Sequence, residues 1–261
     1  MKRLPVLLIL TLAAAVSCKT AYETLLESND TELKYAAAFD YFNQGKYSKA
    51  SQLFESLSYI TNGTARDDTV QYYWGLSNYR AKDYFTAETN FGNFIRNFPR
   101  SSFAQNAEFL RLDCLFRETL RYELDQTPTY KCLTAIHEYL LNYPDTEYRT
   151  VCDHMVEDLE DRLDRKAYEN AYLYYKMEDY KAARVALRNV LKDDAENRYR
   201  EDILYYTAMA SYNYANLSVK SKQKERFLVF YDDYLNFIGE YPDSPRRAEI
   251  DRIYKKVKEK Y

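Results

Sequence analysis

Gly45-Lys46-Tyr47-Ser48-Lys49-Ala50 returns in altered form as Ala81-Lys82-Asp83-Tyr84-Phe85-Thr86-Ala87 and again as Glu178-Asp179-Tyr180-Lys181-Ala182-Ala183. Each is a Tyr-x-x-Ala behind a short polar turn. In a helical hairpin the aromatic opens the second helix, and the Ala one turn later lets two backbones approach closely. Twelve residues beyond the small or apolar position a second mark recurs: Ala87 leads to Pro99, Cys132 to Pro144 and Phe230 to Pro242. The prolines lie in Asn97-Phe98-Pro99-Arg100-Ser101, Asn142-Tyr143-Pro144-Asp145-Thr146 and Glu240-Tyr241-Pro242-Asp243-Ser244. There Pro ends one helix, and the Ser or Thr is expected to cap the next.

Taking residues 50, 87, 132, 183 and 230 as equivalent gives five units at intervals of 37, 45, 51 and 47 residues. A period of this size marks a stacked array of helical hairpins. The units resemble tetratricopeptide (TPR) repeats with longer helices or connections. Ala38, Gly75 and Ala171 occupy the small position of the first helix, with Tyr41 and Tyr174 one turn on from the first and last of them. Unit three has Thr129 in place of the Tyr, and unit five has Phe230 in place of the Ala. The expected fold is all-α: a TPR-like right-handed solenoid of about five repeats and ten or slightly more helices, treated as one domain over residues 31–261.

Composition agrees. The chain has 261 residues, of which 46% are apolar and 30% charged, with only 5 Gly and 6 Pro. Such a chain can bury a continuous core and suits long amphipathic helices. Its outlier is tyrosine, 29 residues beside a single Trp, a ring that serves helix seams and binding surfaces equally. A net charge of -3 with both signs interspersed gives no basic footprint for nucleic acid.

Lys2 and Arg3 precede an apolar run from Leu4 to Val16, then Ser17 and Cys18. The run is too short for a permanent membrane span and reads as a signal peptide over residues 1–17. Ala15-Val16-Ser17-Cys18 resembles a bacterial lipobox, with Ala where Leu is usual at its first position. Cys18 is therefore the expected lipidation site, and 18–30 the linker behind it; the alternative is an ordinary signal peptide with an incidental Cys. Acyl chains on Cys18, at ~0.8 kcal/mol per buried CH₂, would hold the protein on a membrane. Cys114, Cys132 and Cys152 remain, an odd number without a CxxC. They read as buried free thiols, with one bridge as the alternative.

On the first helices, residues at i, i+4 and i+7 flank the small position: Tyr35, Phe39 and Phe42; Tyr72, Leu76 and Tyr79; Tyr168, Tyr172 and Tyr175. The recurrence points to a concave, ligand-holding wall for a peptide or partner helix. Burial of the same rings against neighbouring repeats is the competing reading. No nucleophile motif, phosphate loop, metal-ligand spacing or cofactor fingerprint is present. Acidic runs such as Glu157-Asp158-Leu159-Glu160-Asp161 alternate with bases at helical spacing and read as a solvated face. Binding, not catalysis, is expected, with no cofactor and no metal.

The leader, the five long TPR-like units, the Phe/Tyr-Pro-x-Ser/Thr endings and the length together resemble the BamD family, TPR lipoproteins of the outer-membrane β-barrel assembly (BAM) machinery. Ser28 to Ala36 followed by Tyr41-Phe42-Asn43-Gln44-Gly45-Lys46-Tyr47 is similar to its Bacteroidetes branch. The resemblance implies lipid anchoring in the outer membrane facing the periplasm, N-terminal repeats that recognise unfolded barrel proteins, and C-terminal repeats that dock on a POTRA domain of the barrel-forming subunit. It does not transfer a docking arginine: Arg184 and Arg188 flank Ala186 where one would be sought. A SusD-like glycan-binding lipoprotein and a periplasmic TPR adaptor for cell-envelope enzymes are the rival readings.

Overall fold

The computed structural model describes residues 20–260, so Cys18 and the leader lie outside the described residues. Twelve α-helices fill it: α1 (Ala21–Glu27), α2 (Thr31–Asn43), α3 (Tyr47–Ile60), α4 (Asp67–Arg80), α5 (Tyr84–Asn97), α6 (Ala104–Arg117), α7 (Thr127–Asn142), α8 (Arg149–Lys176), α9 (Tyr180–Asp193), α10 (Arg200–Asn216), α11 (Lys220–Glu240) and α12 (Arg247–Lys260). Consecutive helices pack on one another from α2 to α6 and from α8 to α12, a TPR-like solenoid arrangement of helical hairpins. Contacts divide the chain into two compact units. The first ends at Thr119 and adds Thr134–Tyr148; the second comprises Leu120–Leu133 and the chain from Arg149 on. The boundary falls inside α7.

Repeat spacing translates directly into burial. Ala50, Ala87, Cys132, Ala183 and Phe230 are all fully buried, which is what equivalent hairpin positions require. Ala38, Gly75 and Ala171 are buried too. The core of each unit is a chain of local clusters. In the first unit one cluster gathers Ala38, Ala50, Leu53, Phe54, Leu57 and Val70, and the next gathers Tyr72, Ala87, Phe91, Phe94, Ala107 and Cys114. Burial between successive hairpins rather than at one centre is the energetics of a repeat array. Cys114, Cys132 and Cys152 are buried thiols, and burial pushes the Cys114 thiol up to about 12.

Tyr47, Tyr84 and Tyr180 each open the second helix of a hairpin, as the repeated Tyr-x-x-Ala implied. The turn before them is a Schellman closure. Gly45 N donates to Phe42 O and Lys46 N to Tyr41 O; the Lys82–Asp83 and Glu178–Asp179 pairs repeat this on Tyr79, Asn78, Tyr175 and Tyr174. Such a closure needs a left-handed residue. Gly45 (φ 73°) supplies it freely, whereas Lys82 (φ 65°) and Glu178 (φ 62°) carry a Cβ there. Asp83 and Asp179 then cap the new helix, accepting from Thr86 N (3.2 Å) and Ala182 N (3.1 Å). A left-handed L residue costs about 1–2 kcal/mol, part of which glycine returns through its freer unfolded chain. Lys82→Gly should therefore stabilise the first unit by about 0.5–1 kcal/mol, read as a higher urea midpoint at unchanged slope.

The Ser and Thr behind the prolines act differently from expectation. Phe103, at the start of α6 behind the first of these prolines, makes no side-chain cap bond. Instead Ser101, Thr146 and Ser244 accept from the backbone N–H two residues on, at 3.3, 3.2 and 3.1 Å. Placed before the helix, the hydroxyl closes the turn because it sits too far back to reach the first-turn amides. It also ties the turn to the first helix of its own hairpin. Ser101 donates to Asp68 (2.8 Å), Gln105 donates to Thr146 (3.2 Å) and Ser244 donates to Glu201 (2.6 Å). Thr64 and Asn197 hold the same place without a proline, accepting from Arg66 N (3.3 Å) and Tyr199 N (3.0 Å). The five clasps keep the 37, 45, 51 and 47 spacing.

Candidate functional site

The aromatic stripe is a seam between successive first helices. In the first unit Phe39 of α2 meets Phe54 (5.1 Å between centroids) and Tyr73 (4.8 Å), and Phe42 meets Tyr73 (5.2 Å) and Tyr47 (5.4 Å). Tyr35 lies 5.0 Å from Phe39 with the Arg66 guanidinium 4.7 Å over its face. On α4, Tyr72 stacks on Phe103 at 4.4 Å and donates to Asn106 at 2.6 Å. Tyr79, one heptad on, donates to Asp113 at 2.6 Å, and Arg117 pairs with the same carboxylate. Both bonds run from α4 to α6.

The second unit repeats the device. Tyr168 stacks on Tyr199 (5.2 Å) and on Tyr172 (5.6 Å), and Tyr172 packs against Tyr206 of α10 (4.3 Å). Tyr175 touches Tyr206 (5.0 Å) and Tyr180 (5.4 Å) and accepts from Asn213 (3.2 Å). Burial pushes the phenols of Tyr72 and Tyr79 up to about 12, with donation to Asp113 adding to the effect at Tyr79. Burial also raises Tyr168 and Tyr175. All four phenols stay neutral at physiological pH, and Tyr72 and Tyr79 act as donors. Tyr72 and Tyr168, each 7% exposed, are core side chains. Tyr35, Phe39, Phe42, Tyr79, Tyr172 and Tyr175 are half-buried and keep part of a ring edge or face in solvent.

Sequence spacing did not reveal a groove that lies wholly in the second unit. It has a volume of about 570 Å³ and lies along α8 between the start of α7 and α9. Leu163, Ala167, Ala171, Ala186 and Val190 give it an apolar floor, and Tyr130 and Tyr174 stand at its edge. Tyr130 is 60% exposed and Tyr174 44%. Asp164, Asp193 and Asp194 line the other end, where burial followed by the nearby Asp194 charge raises the Asp164 carboxyl above the usual range. The signal was present in part: Tyr174 follows Ala171 at a recurring place, but nothing local says that Tyr130 faces it. Arg184, weighed as a docking residue, is engaged internally, with Nε and Nη2 on the two Asp233 oxygens at 2.6 and 3.0 Å. Arg188 is exposed.

Among the described residues, no group of three or more His, Cys, Asp and Glu could hold a metal ion, and no helix is long and apolar enough to cross a membrane. The geometry offers helical surfaces bearing rings, suited to contact with another chain.

A family model described as YfiO, outer membrane lipoprotein, matches residues 27–228, from the end of α1 into α11. An outer membrane protein assembly factor BamD of Caulobacter vibrioides is 25% identical over 158 residues, covering 59% of this chain and 52% of that protein. The chain thus spans about half the length of the curated relative it matches. The match encloses four complete hairpins and the opening of the fifth, so similarity and repeat architecture cover the same residues. The chain belongs to the YfiO family of outer membrane lipoproteins.

Proposed function

We propose that this protein is a non-catalytic assembly factor for outer-membrane β-barrel proteins, held to the membrane through Cys18, that binds unfolded barrel clients and the barrel-forming subunit with its POTRA domains. The family match over residues 27–228 carries the reading and favours it over the glycan-binding and adaptor readings. The name of the Caulobacter relative agrees with it. So does the packing. A scaffold that handles many clients needs a rigid wall with tolerant contacts, and rings fixed at a repeat seam provide one at little cost in side-chain entropy.

Barrel strands alternate apolar and polar residues and are rich in aromatics, so an unfolded segment presents rings on one side. The half-buried Tyr35, Phe39, Phe42, Tyr79, Tyr172 and Tyr175 can meet such rings edge-on. Tyr72 in the first unit and Tyr168 in the second support the rings of their own unit from within. The test is purification of the protein from detergent-solubilised outer membrane, with quantification of what accompanies it. A POTRA-bearing barrel subunit and barrel clients are expected. A TonB-dependent transporter, or no membrane partner, would overturn the assembly reading. Tyr35→Ala with Tyr79→Ala removes two ring contacts at ~0.5–1.5 kcal/mol each, and should lower client recovery about tenfold while leaving the barrel subunit bound. Undiminished client recovery in the folded variant would place the client surface elsewhere and leave the assembly role standing.

A further inference from the structure

One end of the second unit is strongly basic in a chain of net charge -3. Residues 217–228 and 252–260 hold nine Lys and Arg against two Glu, Glu225 and Glu259. The fold brings these segments together. Helices α11 and α12 run antiparallel, with Tyr254 stacked on Tyr234 at 4.3 Å and against Tyr231 at 5.2 Å, and with Phe227 and Val257 in one cluster. The first turns of α11 therefore lie beside the last turns of α12.

Between α10 and α11 the turn projects two apolar side chains, Leu217 at 72% and Val219 at 70% exposure. The turn is fixed: Ser218 donates to Tyr214 O, while Arg226 donates to Ser218 and lies 4.1 Å over the Tyr214 ring. Lys222 pairs with Glu225 at 3.0 Å. Lys220, Lys224, Lys255 and Lys256 are exposed and form no salt bridge among the described residues.

We propose that this lysine-rich tip, with Leu217 and Val219 at its point, rests on an anionic phospholipid surface as a contact separate from the lipid anchor. The lysines favour lipid over an acidic protein. Arginine forks suit fixed carboxylates, whereas lysine ammonium groups on flexible stems act as point charges, suited to laterally smeared phosphate. A protruding apolar pair flanked by lysines is the pattern that enters a headgroup layer. Charges brought within a Debye length of such a surface add their attractions, and salt screens them.

The experiment is flotation of the full chain carrying Cys18→Ser, so that no acyl chain at that position contributes, with phosphatidylcholine vesicles either pure or with about one third phosphatidylglycerol. Binding should be stronger on the anionic vesicles and should weaken as salt is raised. Changing Lys220, Lys224, Lys255 and Lys256 together to Gln should lower partition to anionic vesicles at least about tenfold. The same change at Lys46, Lys82, Lys181 and Lys192 should leave it within about twofold. Leu217→Ser with Val219→Ser should weaken binding to both vesicle types and leave the salt dependence intact. Far-ultraviolet circular dichroism verifies the fold of each variant. The proposal is overturned if the parent binds both vesicle types equally, or if the four-lysine variant floats like its parent. It is overturned equally if that variant keeps its vesicle binding and instead loses an acidic protein partner.

Discussion

Arg184→Ala should lower the stability of the second unit by about 3 kcal/mol, the low end of the cost of breaking a buried ion pair from one side. Asp233 is the reason. At 5% exposure it accepts two bonds from Arg184 of α9 and one from Ser211 of α10 while itself sitting on α11, so one carboxylate joins three helices. Without the guanidinium its charge stays buried with a single hydroxyl donor. The low end of the range applies because the Arg184 side chain is 24% exposed, which lets water reach the vacated site. Urea unfolding followed by circular dichroism measures the loss. Removing both charges, as in Arg184→Met with Asp233→Leu, should recover most of it, because the desolvation cost leaves with the pair. A single variant within about 0.5 kcal/mol of the parent would contradict a structural role and reopen Arg184 as a docking residue.

Gly75→Leu should cost the first unit about 2–3 kcal/mol. A Cβ at Gly75 would lie 2.9 Å from Phe91 Cε1, 3.0 Å from its Cδ1 and 3.3 Å from Asn90 Cβ. Phe91 is fully buried and Asn90 is held by Asn78 at 2.9 Å, so neither neighbour can swing aside. Gly75→Ala separates the terms. It gains about 1 kcal/mol of helix propensity against an overpacking cost of about 1–3 kcal/mol, so a small net loss is expected. Leucine adds three carbons without adding propensity. An unchanged melting temperature for Gly75→Leu would contradict the close approach of α4 and α5.

These two sites differ in how far they were legible. The small residue at position 75 stands in a repeat, and its meaning is local: a hairpin of two helices needs a gap where the two backbones approach, whatever lies beyond. The Arg184–Asp233 pair joins residues 49 apart on different hairpins, and no spacing rule connects them. Lys82 and Glu178 show the same limit on a smaller scale. Gly45 announces a left-handed turn, while its two counterparts adopt that conformation because the closure around them demands it.

Sequence by itself determined the hairpins, the residues Tyr47, Tyr84 and Tyr180 that open three of their second helices, and the fully buried positions from Ala50 to Phe230. Each is set by helix periodicity, turn chemistry and close packing within a few dozen residues. Tertiary structure alone decided what the aromatic stripe does. Tyr72 and Tyr168 are buried and Tyr79 is half-buried because the next first helix and the turn before it bring Phe103, Asn106, Asp113 and Tyr199 within reach, beside the packing of Tyr72 and Tyr168 on the second helix of their own hairpin. A ring at helical spacing carries the same apolar face whether a neighbour or a ligand covers it, and only the stacking of one repeat on the next settles which. The same holds for the lysines at the tip. In sequence they are two separate basic stretches, and the antiparallel return of α12 along α11 makes them one surface.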